Sequence, residues 1–312
     1  LGLSQWLFDK KNPLTARVAV NRYWQMIFGS GLVSTPNDFG VQGQLPTHPE
    51  LLDWLAVDFS EDWNLKRLIK KMVMSKTYQQ KSLITDKLLE KDPNNLLLAR
   101  SNNYRLPAEI IRDNALKLSG LLNTKFGGPS VKPYQPKGLW KEKNNFSVPL
   151  LEYEESKGED LYRRGIYTFI KRTSPPPSML TFDATSREVC TVKRNITSTP
   201  LQALVLMNDP QFFEASRVFA EKIIKNRVSL KDQIIYGFRL STGRFPKEEE
   251  INVLVNLYEK QYQYFLKNRN KAYQVLNVGE KPRDKNIFSV KAAAMTMIAN
   301  TLINHNETFT RR

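Results

Sequence analysis

Between Lys125 and about Thr199 the chain is crowded with prolines and glycines and shows little helical periodicity, as in FGGPSVKPYQPKGLW and RTSPPPSMLTFDATSREVC. Proline fixes φ and removes a backbone donor, so Pro175-Pro176-Pro177 blocks a helix there and confines any strand to an edge. A segment of about seventy residues with so little regular structure is unusual in a compact domain. Disorder is disfavoured by its aromatics, Phe126, Tyr134, Trp140, Phe146, Tyr153, Tyr162, Tyr167, Phe169 and Phe182. The expectation is an ordered, irregular segment wrapped over helices. The β-branched and aromatic run Ile166–Ile170 is its best strand candidate.

Helical patterns flank this segment. In KNPLTARVAVNRYWQMIFGSG, Asn12 caps, Pro13 opens and Gly29 closes a helix, with Ala16, Val20, Trp24 and Ile27 on one face. THPELLDWLAVDF has Thr47 and Glu50 at capping-box spacing, with Leu51, Trp54 and Leu55 turned inward. NLKRLIKKMVMSKTY repeats the pattern through Leu65, Leu68, Ile69, Met72 and Val73, and Met72 and Met74 read as core filler. RLPAEIIRDNALKLSGLL buries Ile110, Ile111, Ala115 and Leu118, while Arg105, Glu109, Arg112 and Asp113 suit ion pairs three and four apart.

After Thr199-Pro200 helix returns. Leu201, Leu204, Val205, Phe212 and Phe213 offer core surface around a break at Asp209-Pro210, where Asp209 caps the next helix. Gly243 stops a further helix, Pro246 starts another, and Tyr258, Tyr262 and Phe265 read there as a core stripe. A final helix carries Ala293, Ala294 and Ala299 for close approach. The fold class is therefore mainly α, with a long irregular, proline-rich middle and at most a few short strands. The parts are 1–124, 125–199 and 200–312, expected to form one integrated domain.

Composition narrows the function. A single cysteine, Cys190, excludes an internal disulfide framework and cysteine-cluster metal sites, and no C-x-x-C-H attaches a haem. His48 and His305 lie in no ligand motif, so neither a metal nor a cofactor is expected in this chain. No apolar run reaches the length of a membrane span. LGLSQWLFDKKNPL has neither an initiator methionine nor a signal peptide's apolar core, and reads as the start of a processed piece. The net charge of +16 is spread as +3 over 1–100, +1 over 101–160, +4 over 161–211 and +8 over 212–312. Without a dense basic patch it reads as solvated surface, which disfavours nucleic acid and leaves an acidic partner or acidic polysaccharide open.

The chemistry candidates cluster in the middle. Cys190 lies near Arg187, Glu188 and Arg194, but no histidine stands close enough in sequence to act as its base, so an inert, buried thiol is expected. Asp183 and Glu188 are the residue types of a glycoside hydrolase pair. The competing expectation is that they neutralise Arg163, Arg164, Lys171, Arg172 and Arg187 and so lock the loop. Those basic residues, with Arg194 and Trp140, are the candidate binding residues. No G-x-S-x-G elbow or Walker loop occurs.

The stretches NPLTARVAVNRYWQMIFGSGLVSTPNDFGVQGQLPTHPELLDWLA, RLPAEIIRDNAL, GGPSVKPYQPKGLW, GEDLYRRGIYTFIKRTSPPPSMLTFDATSREVCTVKRNITSTPLQALVLMNDPQF and TGRFPKEEE resemble, in order, a planctomycete PSD-type domain of unknown function. The resemblance covers essentially the whole chain. It implies an extracytoplasmic domain found C-terminal to cytochrome c-like modules, in bacteria rich in sulfatases and polysaccharide-degrading enzymes. It implies no catalytic residues. The expected role is a binding or scaffold module with a protein partner or adjacent domain. The alternatives are an enzyme on an acidic glycan using Asp183 and Glu188, and a polyanion binder driven by charge.

Overall fold

Asn12 Oδ1 accepts the Leu14 N–H at 3.0 Å and starts a helix, Leu14–Phe28, that ends at Gly29 with φ +87°. A computed structural model describes residues 1–142 and 152–311 of the chain, so Phe146 lies outside the described residues. The chain is mainly helical. Its described strands are two residues each, Tyr104–Arg105 and Thr310–Arg311, in one two-stranded sheet. It divides into two compact units.

The first unit is Leu1–Tyr104 with Thr191–Lys193 and the chain end from Arg311. Its core packs Leu14–Phe28, Pro49–Ser60 and Leu65–Met74 through Val20, Trp24, Phe28, Leu52, Leu55, Phe59, Leu68 and Met72. The inward stripe of the second helix is Leu52, Leu55, Ala56 and Phe59, one position round from the expected one. Trp54 is instead exposed, with the Lys71 ammonium over its ring. Met74 is also exposed, because the third helix ends there and buries only Leu68 and Met72.

The second unit is Arg105–Cys190 with Arg194–Thr310. At its centre is Ser289–Ile303, apolar on nearly every side, which is the pattern of a helix surrounded by others. Ala293, Ala294 and Ala299 are fully buried in it. Around it pack Pro210–Asn226, Glu248–Lys267 and Arg269–Leu276, and Tyr258 and Phe265 are core residues. Leu201 and Leu204 are exposed, since Pro200–Asn208 buries Leu206 and Gln202 instead.

Asp209 breaks the chain between Pro200–Asn208 and Pro210–Asn226, and its side chain accepts the Gln211 N–H at 2.9 Å. Burial pushes this carboxyl up from its ordinary 3.8 to about 6, against backbone bonds and Arg112 that pull it down. A folded pKa above the unfolded one means the folded state holds the proton more tightly. The resulting stabilisation is present below pH 3.8 and is lost as pH rises through about 6. Asp209→Asn keeps the capping acceptor and removes the buried charge. It is expected to stabilise the fold at pH 7 by on the order of 1–3 kcal/mol and to flatten the pH dependence of the urea midpoint between about pH 4 and 7.

The expected strand at 166–170 is not formed. Gly165–Tyr167 is a 3-10 turn, and Thr168 makes a single bridge to Val131. Val131 donates to Tyr167 O and accepts from Phe169 N, both at 2.8 Å. Pro129 and Pro133 flank Val131 at alternate positions, so the ladder cannot extend. The proline run does open one short helix, Pro177–Thr181, because its third proline stands at the first helical position, where no donor is needed.

Candidate functional site

Helix Ala108–Ser119 buries Ile111, Ala115 and Leu118 in the core of the second unit. Among the described residues its charged side chains form no ion pair three or four positions apart, although spacing suggested one; Arg112 and its neighbour Asp113 stand 3.8 Å apart. Glu109, Arg112 and Asp113 find their other partners in the irregular segment and at Gln211.

Arg105, just before the helix, meets Asp183 at 2.5 Å. It also donates to Thr197 O at 3.1 Å and Phe182 O at 3.2 Å, and its guanidinium lies 5.5 Å from the Phe182 ring centre. Asp183 Oδ2 further accepts the Thr197 N–H and hydroxyl, both at 2.8 Å. Gln202 closes the ring by donating to Thr181 O and Thr197 O at 3.0 and 3.2 Å. Asp183 sits at φ +58°, a left-handed conformation that aspartate tolerates better than most residues. Asp183 therefore has an arginine partner, but one 78 residues away rather than in its own loop.

Glu109 accepts Arg194 at 2.7 Å, and although burial pushes its carboxyl up, Arg194, a backbone bond and the charge of Arg187 together hold it below the usual range. Arg112 is 2% exposed and donates to Gln211 Oε1 at 2.7 Å, Leu161 O at 2.9 Å and Arg163 O. Burial lowers its pKa to about 10, so it remains charged at neutral pH. Asp113 accepts the Gly165 N–H at 2.6 Å, and Arg164 stands 3.7 Å away. Gly165 is required here: a Cβ would lie 2.9 Å from the backbone oxygen of Glu109, so only glycine lets the segment lie this close to the helix.

The other candidate binding residues separate. Arg163 is buried and donates to Pro129 O at 2.9 Å, Lys125 O at 3.3 Å and Gly127 O, with Tyr167 stacked 3.9 Å from it. It ties loop to loop and offers no surface. Arg172 and Arg187 are exposed. Lys171 lies over the Trp140 ring at 4.6 Å, and Trp140 is buried.

Residues 187–190 and 194–201 are exposed throughout. Glu188 lies on this run and makes no ion pair among the described residues, so the expected lock on an arginine does not form. Among the described residues its carboxylate meets no guanidinium, whereas that of Asp183 meets Arg105. Cys190 is exposed rather than buried, because the stretch around it has no helical or strand face to turn inward. One equivalent of thiol is therefore expected to react with Ellman's reagent in the native protein, whereas a thiol silent until denaturation contradicts this placement.

Sequence reasoning named Arg105 and Arg112 only for ion pairs along the helix and missed Thr197 and Gln202. The trace available to it was RLPAEIIRDNAL itself, a helix with more charge than its length needs beside a loop rich in free carbonyls.

Two further clusters are structural. Glu214 is fully buried and accepts the Tyr134 hydroxyl at 3.0 Å, the Tyr162 hydroxyl at 2.9 Å and the Lys281 N–H at 2.7 Å. Burial and this carboxylate push both tyrosines up. A cleft of about 560 Å3 opens nearby, but its Tyr162 and Glu280 are already bonded, to Glu214 and to the Gly158 N–H. Glu250, His305 and Glu307 place ligand atoms within 4.8 Å of one another. Arg244 already fills that position, donating to both carboxylates at 2.6–2.8 Å and holding the Glu250 carboxyl down to about 2. His305 Nδ1 accepts the Glu307 N–H at 3.3 Å. The group is a guanidinium clasp, and it accounts for the arginine and the last glutamate of TGRFPKEEE.

A family model described as PSD1, protein of unknown function (DUF1553), matches residues 1–258, and the chain belongs to that family. No curated protein and no solved structure matches it. No helix among the described residues is long and apolar enough to cross a membrane.

Proposed function

We propose that this chain is a binding module whose contact surface is the exposed run at 187–190 and 194–201, continued by Leu204. The carrying observation is the division of labour in the segment. Asp183, Arg164 and Arg194 are spent on the Arg105, Asp113 and Glu109 locks, while Val189, Ile196, Leu201 and Leu204, each at least 50% exposed, lie on or just after the run that carries Arg187. Aliphatic groups beside a cation suit a protein surface that carries apolar and acidic groups. From Asp183 to Asn208 there is no aromatic ring on which a sugar could stack. Asp183, held by the Thr197 N–H and hydroxyl and by the Arg105 guanidinium, is poorly placed to attack or protonate a glycosidic bond. The setting that goes with this reading is extracytoplasmic, beside cytochrome c-like or polysaccharide-processing partners.

The test uses Cys190 as a unique handle. The chain is labelled there with a benzophenone, irradiated with envelope proteins of its source, and also incubated with sulfated and uronic polysaccharides and duplex DNA at two salt concentrations. A discrete protein adduct is expected, competed by unlabelled chain and lost in Val189→Asp/Ile196→Asp. Release of sugar product that Asp183→Asn abolishes would instead assign a hydrolase, and salt-resistant DNA binding would assign a nucleic-acid module.

A further inference from the structure

Helix Leu230–Thr242 turns Gln233, Ile234, Gly237, Phe238 and Ser241 into the second unit. On its other side Asp232, Ile235, Tyr236, Arg239 and Leu240 recur three and four apart and so share one face. With Arg227, just past the end of Pro210–Asn226, they line one open cleft of about 350 Å3.

A solvated helix face can balance its cations, as Lys231 does here with Glu248 at 2.8 Å. Arg227 and Arg239 are not balanced, since neither has a carboxylate at ion-pair distance among the described residues. Both are held by rings instead. The Arg227 guanidinium lies 4.9 Å from the centre of Tyr236, and that of Arg239 lies 3.9 Å from the centre of Phe245. Stacking holds a guanidinium by its face and leaves the N–H groups at its edge free for an acceptor. Arg227 spends one on Asn226 O at 2.7 Å. The Arg239 side chain and the Tyr236 hydroxyl make no hydrogen bond among the described residues.

The cleft's own carboxylate, Asp232, is engaged at the start of the helix. Its Oδ2 accepts the Ser229 hydroxyl at 2.6 Å, and the Ser229 oxygen accepts the Asp232 N–H at 3.1 Å. Two guanidiniums and one carboxylate leave the lining with a single positive charge.

We propose that this cleft binds one carboxylate carried on an apolar body, with Arg227 and Arg239 as its donors and Ile235, Leu240 and the Tyr236 ring as its walls. A guanidinium edge matches the two oxygens of a carboxylate, and the single positive charge of the lining matches a monoanion. Apolar walls with a few placed donors are the usual make-up of a small-molecule site, whose volumes begin near ~300 Å3. The site is apart from the 187–201 run and does not depend on the reading of that surface.

The probe is 4-fluorobenzoate, titrated with the chain at fixed ionic strength in chloride and followed by its 19F line. Three comparison ligands separate the contributions. 4-Fluorobenzyl alcohol keeps the body without the charge, acetate (as a competitor) keeps the charge without the body, and 4-fluorophenyl phosphate adds a second charge. Saturable binding of 4-fluorobenzoate is expected, with the alcohol and acetate weaker by about tenfold or more. Arg227→Gln and Arg239→Gln are each expected to weaken 4-fluorobenzoate by about tenfold. Both side chains are exposed, so the fold is kept. Arg269→Gln, at an exposed arginine outside the cleft, is expected to leave the affinity unchanged. Tighter binding of the phosphate, or equal binding of the alcohol, overturns the assignment to a carboxylate. No saturable binding, or the same loss in Arg269→Gln as in the two cleft variants, overturns the site.

Discussion

Arg112→Met is expected to destabilise the second unit by about 3–5 kcal/mol in urea unfolding. Methionine fills much of the volume, so the loss is polar rather than a cavity. Gln211 Oε1, Leu161 O and Arg163 O lose their donor together in a site that excludes water. Each orphaned buried acceptor costs about 1–3 kcal/mol. A cost under about 1 kcal/mol would mean that water replaces the guanidinium and that the segment is not held from this point. Lysine is not expected to rescue, since one ammonium cannot reproduce a planar fork reaching three oxygens.

Glu214→Ala is expected to cost a similar amount, about 3–5 kcal/mol, for the opposite reason. Here an acceptor vanishes and its donors remain, the hydroxyls of Tyr134 and Tyr162 and the N–H of Lys281. Arg217, fully buried 3.9 Å away, keeps Glu221 at 3.2 Å as its counter-charge among the described residues. Gly279 sharpens the case. It holds φ +90°, and a Cβ there would lie 2.2 Å from the Glu214 carboxyl carbon, so the chain is pressed onto this carboxylate. Glu214→Gln, which keeps one acceptor oxygen, is expected to fall between wild type and alanine. Both tyrosines are expected to titrate closer to pH 10 in Glu214→Ala, because the carboxylate that raises them is gone.

The helices were legible because their periodicity and caps act locally: Asn12, Asp209 and Gly243 stand where they were expected. Which face turns inward was less so. Trp54 and Ile110 satisfy an apolar count, yet lie on the solvent side of helices that bury Leu55 and Ile111 instead. The described parts of the irregular segment are held by side chains that sequence reading did not single out for that role. Proximity in sequence pointed Asp183 at Arg187 and Arg172, whereas its partner, Arg105, belongs to a helix edge brought in by folding. Long-range pairing of this kind leaves no periodic trace. Cys190 shows the same limit, since residue type suggests burial and only the course of the chain shows exposure.

Arg105, just before the 108–119 helix, and Arg112 within it hold separate stretches of the segment, around Asp183 and Thr197 and around Leu161–Gly165. Backbone hydrogen exchange in Arg105→Met and Arg112→Met, measured under conditions where both remain folded, tests it directly. In Arg105→Met the amides of Asp183 and Thr197 are expected to lose protection while those of Arg163 and Gly165 keep it, and Arg112→Met is expected to show the reverse. Equal loss across both stretches in both variants, or no loss in either, would contradict it.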